Sequence, residues 1–289
     1  MNVISVQDVT KDFGSTKALR GINLTVESGQ VFGFLGPNGA GKTTMIRAMM
    51  DFIRPTSGSI RIFGADSQSA SADLKQKIGF LSADNALYPH WTGRTHIDFA
   101  ARLSGKGQYV DEIVRRLDLN LSAKAGQLSS GNKQKLALAL AVVGDPELLI
   151  MDEPTRGLDP LLQNELYSTL GEFKAKGGTI FLSSHNLGEV QRICDTVAVI
   201  NRGKLVAEKS MNDFRDMHVH MVSVVVAKTV DPKQFNLKNV DVVSSQGSSL
   251  TLKVRGDINP ILSQLSQLDV KDLEVSHLSL EEVFMELYK

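Results

Sequence analysis

With one cysteine among 289 residues, Cys194, the chain cannot form an internal disulfide. Its neighbours Ile193 and Asp195 suit a packed structural thiol better than a nucleophile. An excess of either charge is also missing: 32 Lys+Arg balance 32 Asp+Glu, so no overall field draws the chain to nucleic acid or to an anionic bilayer. Long apolar runs are absent as well. The longest, Leu136 to Gly144, is stopped by Asp145 and Pro146, well short of the roughly 20 residues that a membrane span needs. The opening MNVISVQDVTKDFG has no basic n-region and no long apolar h-region, so a signal peptide is not expected and a cytosolic location is. There is no tandem repeat and no low-complexity segment, while 42% hydrophobic residues suffice for packed cores.

What is present is a rhythm of short apolar runs. The first thirty residues alternate apolar and polar positions and break at a Gly29 turn signal, which predicts antiparallel β-structure leading into a core strand, VFGFL. IGFLS, LLIMD and TIFLS then recur between helical stretches, the mark of buried strands in a largely parallel α/β sheet. Between about residues 88 and 140 the pattern is helical with no core strand, which predicts an inserted helical subdomain. VAVINRGKLVAE reads as a closing hairpin turning at Asn201 to Lys204, and a boundary is expected near Ser210. Residues 210–289 hold four strand-like runs, a helix near NPILSQLSQL and a final helix opened by the Ser279–Glu282 capping box with Leu278 and Val283 as staple, together a small second α/β domain. Net charge is +3 before the boundary and −3 after it, so neither part resembles a nucleic-acid-binding arm.

The segment Gly36-Pro37-Asn38-Gly39-Ala40-Gly41-Lys42-Thr43 fits G-x-x-x-x-G-K-S/T, and it lies between a predicted strand and a helix that starts with Thr43 and Thr44. Such a P-loop wraps phosphates in backbone N–H groups, aims Lys42 at the β- and γ-phosphates and offers the Thr43 hydroxyl to Mg²⁺. The helix N-terminus adds partial positive charge. Four apolar residues place Asp152 at the C-terminal end of LLIMD, where α/β sheets bind ligands. Asp152 is therefore a metal candidate, and Glu153, one residue on, is the candidate general base for a water aimed at the γ-phosphate. The loop and the acidic pair together predict binding and hydrolysis of Mg-ATP.

Leu128-Ser129-Ser130-Gly131-Asn132, about twenty residues before Asp152, resembles the signature of ATP-binding-cassette (ABC) ATPases, usually LSGGQ. Further elements of that family fall in order: Phe13 where an aromatic stacks on adenine, Gly157-Leu158-Asp159 as the D-loop, and His185 in LSSH as the switch histidine. The resemblance covers residues 1 to about 209. It implies a P-loop cassette with an antiparallel β-subdomain and a helical subdomain. It also implies a head-to-tail dimer with a second cassette, identical or related, in which Ser129, Ser130 and Gly131 of one subunit close on ATP held by the other and Asp159 crosses the interface. The ending SLEEVFMELYK resembles an extension carried by cassette subunits of bacterial exporters, whose membrane-embedded permease subunits are separate chains. That likeness implies a peripheral place on the inner face of the cell membrane.

Two departures from the family pattern stand out. Ala83 occupies the position where the Q-loop glutamine helps ligate Mg²⁺, with Asp84 as the nearest polar substitute, and Ser130 and Asn132 replace Gly and Gln of the signature. A soluble cassette acting on nucleic acid or ribosomes is the alternative, but one P-loop and no long heptad run argue against it, and no nucleic-acid partner is expected. A regulatory ATP sensor that does not hydrolyse is a third reading, opposed by the presence of Glu153 and His185.

Overall fold

Alternation of apolar and polar residues over two long stretches sets the first sheet of the computed structural model, which describes residues 1–84, 86–105, 110–215, 219–235, 237 and 239–277. β1 (Asn2–Phe13) buries Val3, Ile4, Val6 and Val9, and β2 (Thr16–Glu27) buries Leu19, Ile22, Leu24 and Val26. They pair antiparallel, and β4 (Ser57–Ile62) with the short β5 (Ala65–Asp66) completes a four-stranded sheet in the order β2-β1-β4-β5. Before β4 come β3 (Val31–Leu35) and helix α1 (Lys42–Met49). α2 (Ser71–Lys75) leads into β6 (Ile78–Leu81), and the helical insertion follows as α3 (Gly93–Ser104), α4 (Val110–Arg116) and α5 (Ser130–Val142).

β7 (Leu148–Asp152), α6 (Pro160–Ala175), β8 (Thr179–Ser184), α7 (Leu187–Ile193), β9 (Thr196–Asn201) and β10 (Lys204–Ser210) finish the first unit. The second sheet runs β10-β9-β3-β8-β7-β6, and β9, β3, β8, β7 and β6 are parallel neighbours. β3 and β7 are buried along their whole length, as unbroken apolar runs between two helical layers require. Phe181 of β8 stacks on Phe32, with ring centroids 5.7 Å apart, and tilts against Phe34 at 5.6 Å. Two glycines let helices approach this sheet closely. A Cβ on Gly33 would lie 2.8 Å from Cys194 Sγ at the end of α7, and one on Gly79 would lie 2.0 Å from the Ala141 carbonyl of α5. Cys194 is thus a packing residue, and burial pushes its thiol pKa well up, which disfavours the reactive thiolate. The turn between β9 and β10 uses Arg202 and Gly203, both at positive φ, as a two-residue hairpin demands.

The chain divides into two compact units, Met1–Lys209 and Ser210–Lys289. The second starts with α8 (Met211–Arg215) and continues with β11 (Val219–Val226), β12 (Val240–Gln246), β13 (Ser249–Arg255), α9 (Asn259–Leu265) and β14 (Val270–His277). Its sheet order is β12-β13-β11-β14 with antiparallel pairing throughout, the split β-α-β arrangement of ferredoxin-like folds with only a 3₁₀ turn, Pro232–Phe235, in the first crossover. Val222, Val224, Leu252 and Val254 form its core with Phe235, Ile261 and Leu265. The expected final helix at Ser279 to Glu282 falls outside the described residues.

All the phosphate-directed motifs precede Ser210 and the first unit carries its own core. A fragment ending at Lys209 should therefore fold and bind ATP as the whole chain does, as measured by nucleotide titration. A folded fragment without affinity would give the second unit a part in the site.

Candidate functional site

The P-loop is squeezed between two other segments. A Cβ on Gly36 would come 2.4 Å from the Ile200 carbonyl, and one on Gly41, at φ 113°, would come 2.7 Å from the Ala18 carbonyl. Gly203 N–H donates to the Ala40 carbonyl at 2.9 Å, and Arg20 N–H to the Gly203 carbonyl at 2.8 Å. The loop's curl is thus fixed by β2 on one side and by the β9–β10 turn on the other. Gly41 caps α1 without a side chain, so no side-chain oxygen occupies the first-turn N–H groups and they stay available to an anion.

A cavity of about 400 Å³ opens over this loop, lined by Asn38, Gly39, Gly41, Lys42, Thr43, Thr44 and Glu153. Lys17, Arg20 and Arg202 also line it, three cations that the motif analysis passed over. Arg202 lies in the turn that the sequence predicted, whereas Lys17 and Arg20 on β2 carried no signal. Lys42 is 5% exposed, and its three ammonium hydrogens face three oxygens: Gly36 O at 2.7 Å, Pro37 O at 3.1 Å and Glu153 Oε1 at 3.2 Å.

Glu153 has φ 48°, a left-handed conformation that costs a non-glycine residue energy. Neighbours hold it there. Its N–H reaches the Ser183 hydroxyl at 3.0 Å and the Ser183 carbonyl at 3.2 Å, and Ser183 Oγ donates to Asp152 Oδ1 at 2.6 Å. Gln134 of α5 donates to the Pro154 carbonyl at 2.6 Å and ties the signature helix to the same loop. Glu153 Oε2 meets His185 Nδ1 at 3.1 Å. Ser183 lies in LSSH and Gln134 just after the signature, but neither was assigned a role, because only a strand pairing or a helix face brings them to Glu153.

A second cavity is lined by Thr43, Ser82, Ala83, Asp84, Asp152 and Arg156. Its possible metal ligands, Thr43, Ser82, Asp84 and Asp152, offer oxygens, the chemistry of a hard cation, beside the guanidinium groups of Arg47 and Arg156, and the described residues hold no cluster of three or more His, Cys, Asp or Glu that could cage a metal alone. That donor set fits Mg²⁺, which takes one or two carboxylates and completes its shell with phosphates and water.

Ser129, Ser130, Gly131, Asp159 and Phe13 line neither cavity. Ser129 caps α5 by accepting from Asn132 N–H at 3.3 Å, which leaves its hydroxyl hydrogen to donate outward, and Ser129 and Ser130 are exposed. Asp159 caps α6, accepting from Leu162 N–H at 2.9 Å. Phe13 is half exposed at the end of β1, with the Lys11 ammonium 5.0 Å from its ring centroid.

Comparison with known proteins agrees with this geometry. The sequence profile of the family described as ABC transporter matches residues 19–156. The bacitracin transport ATP-binding protein BcrA of Bacillus licheniformis is 33% identical over 300 residues, covering 99% of this chain and 97% of that protein. The chain belongs to the ABC transporter ATP-binding proteins. The Nod factor export ATP-binding protein I of Burkholderia lata is 35% identical over 212 residues, 71% of this chain and 70% of its own length. Among solved structures, an ATP-binding subunit of an ABC transporter superposes with a TM-score of 0.69 at 30% identity, covering 74% of this chain and 92% of that one. As an ABC ATPase, the chain binds and hydrolyses ATP. Among its described residues, no helix is long and apolar enough to cross a membrane.

Ser183 supports both acidic residues of this ABC ATPase at once. Ser183→Ala removes two side-chain hydrogen bonds, worth about 1–3 kcal/mol together, and should lower kcat roughly 10- to 100-fold while ATP affinity holds. Steady-state kinetics beside an ATP titration would read this split, and an equal loss of both would assign Ser183 to binding.

Proposed function

We propose that this chain is the ATP-driven subunit of an exporter, acting as one half of a head-to-tail cassette dimer that moves separate membrane permease subunits. Its full-length similarity to a bacitracin transport protein and its partial similarity to a Nod factor export protein support the transport role. The observation that carries the catalytic part is Glu153, held in a strained backbone conformation with one carboxylate oxygen on Lys42 and the other on His185.

In this reading the P-loop amides and Lys42 bind the β- and γ-phosphates. A triphosphate competes for the Lys42 ammonium and so takes it from Glu153, which leaves that carboxylate to accept a proton from the attacking water. His185 steadies the other oxygen of Glu153 and lies on the γ-phosphate side. Thr43 and Asp152 would hold Mg²⁺, with Asp84 as a further oxygen donor; the ion supplies charge neutralisation between the β- and γ-phosphates. Lys17, Arg20 and Arg202 add positive charge to the cavity lining, and Phe13 is the aromatic face for adenine. Ser129, Ser130 and Gly131 act on ATP in the partner cassette. Support for action in trans is that they lie outside the cavity of their own chain, with a free hydroxyl hydrogen at Ser129.

Glu153→Gln keeps the shape and removes the basicity, so hydrolysis should fall by roughly 10²- to 10⁴-fold while ATP binding persists. Size-exclusion chromatography with Mg-ATP should then show the variant accumulating as a dimer. Turnover at the parent's rate would remove Glu153 from the catalytic role. For the metal site, Asp84→Ala should raise the Mg²⁺ concentration needed for half-maximal turnover. An unchanged Mg²⁺ titration would leave Thr43 and Asp152 as the protein ligands.

A further inference from the structure

Glu189 is a carboxyl for which the mechanism above has no use, yet it is 3% exposed and sits directly behind the catalytic pair. It lies in the first turn of α7, where Asn186 Oδ1 accepts its N–H at 3.4 Å. Its Oε2 accepts a 2.5 Å hydrogen bond from Ser184 Oγ, on the residue before His185, and that same hydroxyl accepts from Asn186 N–H at 2.9 Å. Oε1 is buried with no hydrogen-bond partner among the described residues. Burial pushes the carboxyl pKa above its ordinary value, the Ser184 and Thr155 hydroxyls and then His185 draw it back, and the Glu153 charge adds to the rise. Thr155 is two residues after Glu153, so the groups acting on Glu189 belong to both of the segments that carry the catalytic side chains. Around it also stand Tyr167 of α6, whose pKa is pushed up to about 12 by burial and then by Glu189, with Arg192 of α7 over its ring, and Cys194 at the end of α7, itself flanked by Asp195 and Lys174.

We propose that Glu189 is a positioning residue for hydrolysis, a buried carboxyl that anchors the end of β8 through Ser184 and so holds His185 against Glu153. The inference rests on Glu153 being the base. Oε2 can accept from Ser184 whether the carboxyl is neutral or ionised, but ionisation places a second buried negative charge beside Glu153. Because the folded pKa is raised, the neutral form persists above the usual carboxylate range and is lost as pH rises through the folded value.

Three variants of the full chain test this. Glu189→Ala should lower kcat by about 10²-fold, the usual consequence of a small misplacement of catalytic groups, with the ATP dissociation constant unchanged. Glu189→Gln, which has the shape and hydrogen-bonding capacity of the neutral acid, should restore kcat to within a few-fold of the parent's and remove the decline in kcat as pH rises through the Glu189 titration. The Tm of Glu189→Gln should also gain on the parent's as pH rises, since the parent alone must then bury a charge. Full turnover in Glu189→Ala, or a Glu189→Gln variant as impaired as Glu189→Ala, overturns the proposal; if Glu189→Ala does not fold, superimposable kcat–pH and Tm–pH profiles for Glu189→Gln and the parent do so. Glu153→Gln, run beside them, separates the two ideas: if it hydrolyses normally the base assignment fails, whereas an inactive Glu153→Gln with an active Glu189→Ala sinks the clamp alone.

Discussion

An ammonium that is almost wholly buried needs an oxygen for each of its three hydrogens, and the active centre is arranged about how Lys42 meets that need. Two of the acceptors are carbonyls of its own loop, Gly36 and Pro37, and the third is the Glu153 carboxylate, brought from the end of a strand two positions away in the sheet. Leaving one of them unmade would cost several kcal/mol in so dry a place. Phosphate oxygens are better acceptors than carbonyls and carry more charge than one carboxylate, so the same cage that stabilises Lys42 makes it the natural seat of a triphosphate.

Fixing the loop around Lys42 falls to its neighbours. The close approaches of Gly36 to Ile200 and of Gly41 to Ala18, with the hydrogen bond from Gly203 to Ala40, trap the P-loop between the antiparallel sheet and the last hairpin of the parallel one. Behind it, α7 presses on β3 through Gly33, and Phe181 locks β3 to β8 through its ring contacts. The rigidity matters for Glu153. Its left-handed backbone is held by Ser183 of β8, and Gln134 of α5 holds the next residue through the Pro154 carbonyl, so Glu153, Asp152 and α5 share one network.

The family pattern is not followed everywhere. At the end of β6, where the family places glutamine, the second cavity offers the oxygens of Ser82 and Asp84 on either side of Ala83. Asp84 lies 3.9 Å from Arg156, just past Glu153, so a change of charge at this loop is felt beside the catalytic one. Ser130 is exposed in the first turn of α5.

Sequence alone settled what is local. The P-loop spacing, the apolar run ending in Asp152, the turn at Asn201 to Lys204 and the order of cassette motifs were legible because glycine conformation, strand periodicity and strand-end acids are properties of neighbouring residues. The small second unit was legible for the same reason, since its strands alternate, although its antiparallel split arrangement was not. Only the tertiary structure showed that Ser183 and Gln134 bond the segment from Asp152 to Pro154, that Glu189 bonds Ser184 beside His185, and that Lys17, Arg20 and Arg202 line the same cavity as the P-loop. Motif spacing assigns none of these contacts, and parallel strands joined through helices bring the residues together across tens of residues. Long-range pairing decides such contacts, and no local pattern records it.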